Sequence, residues 1–274
     1  MKKRFIMLIL FVVAFIIVLN ADFLESKSRN VVTGAAVNNA TIGYPVLLLH
    51  GFNPTYSPRI AEFSLKDLQG ELASDGFVDK GIFLVENNCD QLRASGPIVV
   101  RTSYLERLKV SDIQEYAQNV NRSISRIQEC TGAEKVDIIA HSMGGIVVRY
   151  YLQNIDDSSV RKFVMLGTPN RGGLYNVGEL ADRLVENGAS RVSLDFVELS
   201  QNHGFMEALN EEPIPGIEYY TVAGDVDGIG DGLVLKDSVR FGNNSHLVVE
   251  CNHITLKNPS FCPQAYEFII HSLN

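Results

Sequence analysis

Positive charge is scarce in this chain: 24 lysines and arginines stand against 32 aspartates and glutamates, for a formal charge of −8. A surface that tracks a phosphate backbone is basic, so this balance argues against nucleic acid as a partner and says little about neutral substrates. Internal repeats and low-complexity arrays are absent as well, which removes the solenoid and fibrous classes. Long apolar runs are confined to one, Phe5 to Leu19. The remainder, in a chain of 274 residues with 46% hydrophobic and 20% charged residues, suits one α/β domain with a full core.

The apolar run follows Lys2, Lys3 and Arg4, the order of a basic n-region and an h-region that carry a chain across a membrane. As a helix it reaches about 22 Å against a bilayer core of roughly 30 Å, which favours a cleaved signal peptide. Leu19 at the −3 position of a cut after Ala21 is large for a cleavage site, so residues 1–21 read equally as an uncleaved anchor that would bring the protein to the membrane. Either destination is extracytoplasmic. Residues 22–42 are polar and without apolar period and read as a tether, leaving 43–274 as the folded domain.

Within that domain one stretch organises the rest. Val136 to Ala140 is short, apolar and β-branched, as a buried parallel strand is. Ile146, Val147, Tyr150 and Tyr151 follow at close to helical spacing. Between them lies Ala140-His141-Ser142-Met143-Gly144, small residues two before and two after a serine. A sharp strand-to-helix turn needs that pattern, because a large side chain at either place would clash where strand and helix meet. Ser142 is therefore the candidate nucleophile. The Met143 N–H, at the start of the helix, is a candidate oxyanion donor.

These residues resemble the elbow of the α/β-hydrolase lipases, in particular the small secreted bacterial ones, with alanine at 140 where glycine is commoner. Three further segments carry the likeness. Tyr44 to Leu49 is an apolar strand ending in His50-Gly51, a dipeptide after which such lipases place an oxyanion donor, here Phe52. Thr168-Pro169-Asn170-Arg171-Gly172 is similar to the family's turn after the next strand. Asp231-Gly232-Leu233-Val234 looks like the run that carries the lipase acid. Beyond the carboxyl end of strand 217–224, Asp225, Asp227 and Asp231 are all placed to supply that acid, and the resemblance selects Asp231. Of the four histidines after Ser142, His253 alone falls just after a strand's carboxyl end. The order Ser142, Asp231, His253 is that of the α/β-hydrolase fold.

The resemblance implies a doubly wound, mostly parallel sheet carrying a helical cap, with the cap expected in 174–210. It implies hydrolysis of carboxylic esters, lipid acyl esters first, with no cofactor. Acyl transfer and thioester cleavage use the same acyl-enzyme and stay open, and a non-catalytic binding protein is the reading from another class. The Asp225-Val226-Asp227-Gly228 loop suggests calcium, but the twelfth position of an EF-hand loop would be Lys236, and Thr255 stands where calcium-binding lipases have an acid. No metal is expected.

The rest of the chain supplies the frame. Helices are expected over 62–73 and, N-capped by Ser111, to about Cys130. A strand is expected over 81–86, forming a βαβ unit with the first strand, and Ile98 to Arg101 reads as either an extra strand or a rim loop. The final strand is expected over 246–250 and a last helix from about Pro263 to Leu273. Four cysteines allow three pairing schemes. Cys251 with Cys262 would close the loop that bears His253, and Cys89 with Cys130 would complete the set, against the alternative of four buried thiols.

Overall fold

The computed structural model describes residues 43–53, 57–106, 111–175, 204–209 and 213–274. The signal or anchor segment, the tether and all of the expected cap but Leu174, Tyr175 and 204–209 lie outside the described residues.

Seven parallel strands form one sheet: β1 (Val46–Leu49), β2 (Val78–Ile82), β3 (Ile98–Thr102), β4 (Val136–His141), β5 (Val160–Leu166), β6 (Glu218–Gly224) and β7 (Ser245–Val249), in the order β2-β3-β1-β4-β5-β6-β7. The central strands are buried on both faces, which is why their sequences run apolar without alternation. Their side chains still alternate by face. Leu47, Leu49, Ile138 and Ala140 join a core with α2 (Ile113–Thr131) and α3 (Met143–Asn154). Val46, Leu48, Ile139 and Val164 join a second core with α1 (Lys66–Ser74) and α6 (Pro263–Leu273). Two short helices, α4 (Gly204–Leu209) and α5 (Lys236–Val239), flank β6 in the chain. The sheet is thus wound on both sides, as expected.

Several local expectations are corrected by contacts that no local pattern contains. The helix expected over 62–73 divides into a 3₁₀ turn at Pro58–Glu62 and α1, with Leu65 between them at φ 63°. The cause is Arg101 on β3, whose buried guanidinium donates to the carbonyls of Ala61 (2.7 Å) and Glu62 (2.9 Å) and so withdraws them from a continuous helix. Phe63, expected on the apolar face, is left half exposed.

The strand expected over 81–86 forms instead at Val78–Ile82. Val78 N bonds Pro97 O, and the chain already turns where Asn87 N bonds Leu84 O (2.9 Å). Ile98 to Arg101 is a strand, fully buried and inserted between β1 and β2. The first two strands are therefore not neighbours. The cap of α2 is Asp112 rather than Ser111, its carboxylate accepting from Glu115 N at 2.9 Å.

Both expected disulfides are present. Cys89–Cys130 ties the 3₁₀ turn at Cys89–Leu92 to the end of α2, and Cys251–Cys262 closes the segment between β7 and α6.

Candidate active site

At the carboxyl end of β4 the chain reverses into α3 through Ser142, whose φ of 55° and ψ of −130° lie where side chains rarely go. Such a conformation costs about 1–3 kcal/mol and persists only where surrounding bonds enforce it. Ser142 N donates to Leu166 O (2.8 Å), and Ser142 O accepts from Gly145 N (2.9 Å). A side chain at Gly144 would collide with the His50 carbonyl, and one at Gly145 with Thr168. The glycines thus let the first and fifth strand ends close on the elbow.

His253 and Asp231 reach Ser142 from two other loops. His253 Nε2 lies 2.9 Å from Ser142 Oγ, and its Nδ1 lies 2.7 Å from Asp231 Oδ2. With Nδ1–H donating to the carboxylate, Nε2 is free of its proton and faces the hydroxyl. All three side chains are buried. Asp231 is held by its own loop, its Oδ1 accepting from Leu233 N (3.0 Å) and Val234 N (2.7 Å). Its backbone carbonyl accepts from His253 N (2.9 Å).

The other two acid candidates do different work. Asp225 pairs with Lys236 Nζ (2.5 Å) and accepts from Gly228 N (2.7 Å), and the Lys236 bond holds its carboxyl below the ordinary range. Asp227 is exposed and accepts from Ile229 N, Gly230 N and the Tyr175 hydroxyl. Both build the loop that presents Asp231. Among the other late histidines, His246 pairs with Thr221 Oγ1 (2.7 Å) across β6 and β7, and His271 is exposed on α6. His203 lies outside the described residues.

Both expected oxyanion donors lie beside the elbow. Met143 is the first residue of α3. Gly51, just before Phe52, packs so closely that an added Cβ would stand 2.9 Å from both Ser142 Cβ and His141 Nδ1. The Gly51 carbonyl accepts from the Tyr104 hydroxyl (2.9 Å) and from His50 Nδ1 (2.7 Å). In a trans peptide C=O and N–H point opposite ways, so these two bonds fix the direction of the Phe52 N–H.

Several residues of this site escape sequence reasoning. His50 stacks on Tyr104 with ring centroids 4.3 Å apart, and its Nε2 takes a hydrogen bond from Ser103 Oγ (2.9 Å). Burial lowers its pKa to about 4. His141, inside the elbow motif, is likewise kept neutral by burial, with smaller repulsion from His253 and Lys257. The Lys257 ammonium, lowered to about 8 by burial, donates to Ser64 Oγ at 3.2 Å. Gly167, at φ 55°, lies under the acid–histidine pair, where an added Cβ would stand 3.1 Å from Asp231 Oδ2 and 3.2 Å from His253 Nδ1. A glycine at a strand end before Thr168-Pro169 is a signal for Gly167. For Ser103 and Tyr104 there is none, because their partner His50 is distant in sequence.

A family model described as alpha/beta hydrolase fold matches residues 101–234. Among solved structures, the chain is similar to the mature form of the Bacillus licheniformis lipase BlEst2, at 18% identity and a TM-score of 0.59, over 88% of this chain and 96% of that one. It is also similar to the product of the Listeria innocua gene lin2722, at 18% identity and a TM-score of 0.55, over 83% and 94% of the two chains. A 2-hydroxy-6-oxo-6-phenylhexa-2,4-dienoate hydrolase from Rhodococcus sp. strain RHA1 matches at 14% identity and a TM-score of 0.52, over 84% and 90%. Likeness at these identities carries the fold and not the substrate. Parallel sheet order, strand–serine–helix elbow and family match agree, and the chain has the α/β-hydrolase fold.

Proposed function

We propose that this protein is a serine hydrolase of carboxylic esters, acting on lipid acyl esters, with Ser142 as nucleophile, His253 as base and Asp231 as the acid that orients it. The observation that carries the reading is the unbroken chain from Ser142 Oγ to His253 (2.9 Å) and from His253 to Asp231 (2.7 Å), buried at the carboxyl edge of the sheet. As Oγ attacks the ester carbonyl, His253 takes the serine proton on Nε2. The Phe52 and Met143 N–H groups hold the oxyanion that forms. Collapse breaks the ester C–O bond, and His253 gives its proton to the leaving alcohol. Water, deprotonated by the same imidazole, then attacks the acyl-enzyme and releases the acid. These steps use side chains and backbone alone and need no cofactor.

The lipid assignment rests on the lipase-like motifs, on Ile254, 46% exposed beside His253, and on the apolar content of 174–210. An apolar pocket gains about 0.8 kcal/mol per methylene, so kcat/KM on p-nitrophenyl esters should climb about fourfold per added carbon until the pocket is full. A flat series from acetate to octanoate would instead assign a small-ester hydrolase. Pairing of all four cysteines supports an extracytoplasmic, oxidising location, in line with the signal or anchor segment expected at residues 1–21.

A further inference from the structure

We propose that His141, the residue before the nucleophile, is a positioning residue that holds the backbone of His253 and thereby sets the distance from its imidazole to Ser142. The inference rests on the Ser142–His253–Asp231 reading above. His141 Nε2 lies 2.9 Å from the His253 carbonyl oxygen. A carbonyl only accepts, so the ring donates and its proton sits on Nε2. The two rings lie against each other with centroids 4.7 Å apart at 45°. On its other side, the His141 Nδ1 edge faces the Gly51 backbone. The imidazole is a wedge between the oxyanion turn and the histidine loop, rooted in the last residue of the strand that precedes Ser142.

The bond has a specific mechanical consequence. The His253 N–H is held by Asp231 O at 2.9 Å, and its Nδ1 by Asp231 Oδ2 at 2.7 Å. Both of those anchors belong to one loop, which could shift with His253 as a unit. His141, the last residue of β4, ties the same residue to the strand that leads directly into Ser142, and so fixes the one separation that the proton transfer depends on. A misplacement of about 1 Å costs up to about a hundredfold in rate. An apolar residue of similar size would fill the space without donating. A charged one would oppose the imidazolium that forms on His253, and burial keeps His141 neutral.

The full chain carrying His141→Leu or His141→Gln tests this. Leucine keeps the volume and loses the donor, whereas the glutamine amide reaches roughly where Nε2 stood. His141→Leu should lower kcat about 10- to 100-fold with KM within about twofold, and slow fluorophosphonate labelling of Ser142 by a similar factor. His141→Gln should recover about tenfold or more of that loss. A His141→Leu protein with wild-type kcat, a loss residing in KM, or a folded His141→Gln protein as impaired as the leucine variant would each overturn the proposal. If His141→Leu fails to fold, a folded His141→Gln protein with kcat within about threefold of wild type supports the proposal, and one below that overturns it. A wild-type protein that neither hydrolyses esters nor labels at Ser142 would instead overturn the nucleophile reading, so the two failures are distinguishable.

Discussion

The two sides of the site are built differently. On the Ser142 side, β4, Ser142 and α3 are contiguous, and the strained serine is fixed by backbone bonds and by glycines that admit neighbouring strand ends. On the other side, Asp231 and His253 are 22 residues apart in sequence and meet through side-chain bonds, a shared backbone bond and a loop closed by Cys251–Cys262. One side is a local device and the other a tertiary assembly. The first should therefore tolerate loosening that displaces the second.

Removing each side's reactive group gives the largest effects. Ser142→Ala should leave the fold intact and lower ester turnover by about 10⁴- to 10⁶-fold, measured with the ester series. Asp231→Asn should cost about 10⁴-fold, since the amide no longer fixes the imidazole's tautomer. Asp225→Asn and Asp227→Asn, whose carboxylates brace the loop rather than touch His253, should each change turnover by less than about tenfold. A severe loss from Asp225→Asn with a mild one from Asp231→Asn would reverse the assignment of the acid.

A pH titration of stability probes the His50-Gly51 turn on the Ser142 side. Burial lowers the His50 pKa from 6.5 to about 4, so below pH 6.5 the unfolded chain takes a proton that the folded one refuses. Its contribution is complete above about pH 6.5 and is lost as pH falls toward 4, by about 3 kcal/mol. Urea midpoints between pH 7 and 4 should record this fall, and His50→Gln should flatten it by a similar amount. An unchanged slope in the variant would assign the acid sensitivity to other groups.

The smallest expected change comes from opening the histidine loop. Replacing Cys251 and Cys262 by serine, across a separation of 11 residues, should lower stability by about 2–3 kcal/mol. Activity should fall further than the folded fraction does, because His253 is placed by bonds to distant residues, from which an opened loop can carry it away. Activity that tracks the folded fraction alone would show that Asp231 and His141 hold the loop without the disulfide.

The same contrast separates what the sequence discloses from what it hides. β4, the elbow and α3 are legible because strand, turn and helix signals lie side by side. β5, β6 and α6 follow from apolar runs with plain punctuation. The break at Leu65 is hidden, because its cause is Arg101, some forty residues away on β3. The insertion of β3 between β1 and β2 stays open for the same reason, since strand order is decided by long-range pairing. His141 stands in plain view within the motif, yet its bond to His253 joins residues 112 apart. Asp231 could be told from Asp225 and Asp227 only by a resemblance, because all three lie beyond the same strand end.

The central claim is that Ser142 is the nucleophile of a buried Ser142–His253–Asp231 relay. Intact-mass and peptide analysis after treatment with a fluorophosphonate tests it most directly. The account predicts one adduct per chain, on the peptide that contains Ser142, abolished in Ser142→Ala and slowed in His253→Ala. An adduct that persists in Ser142→Ala, or a wild-type protein that hydrolyses esters without acquiring one, would contradict it.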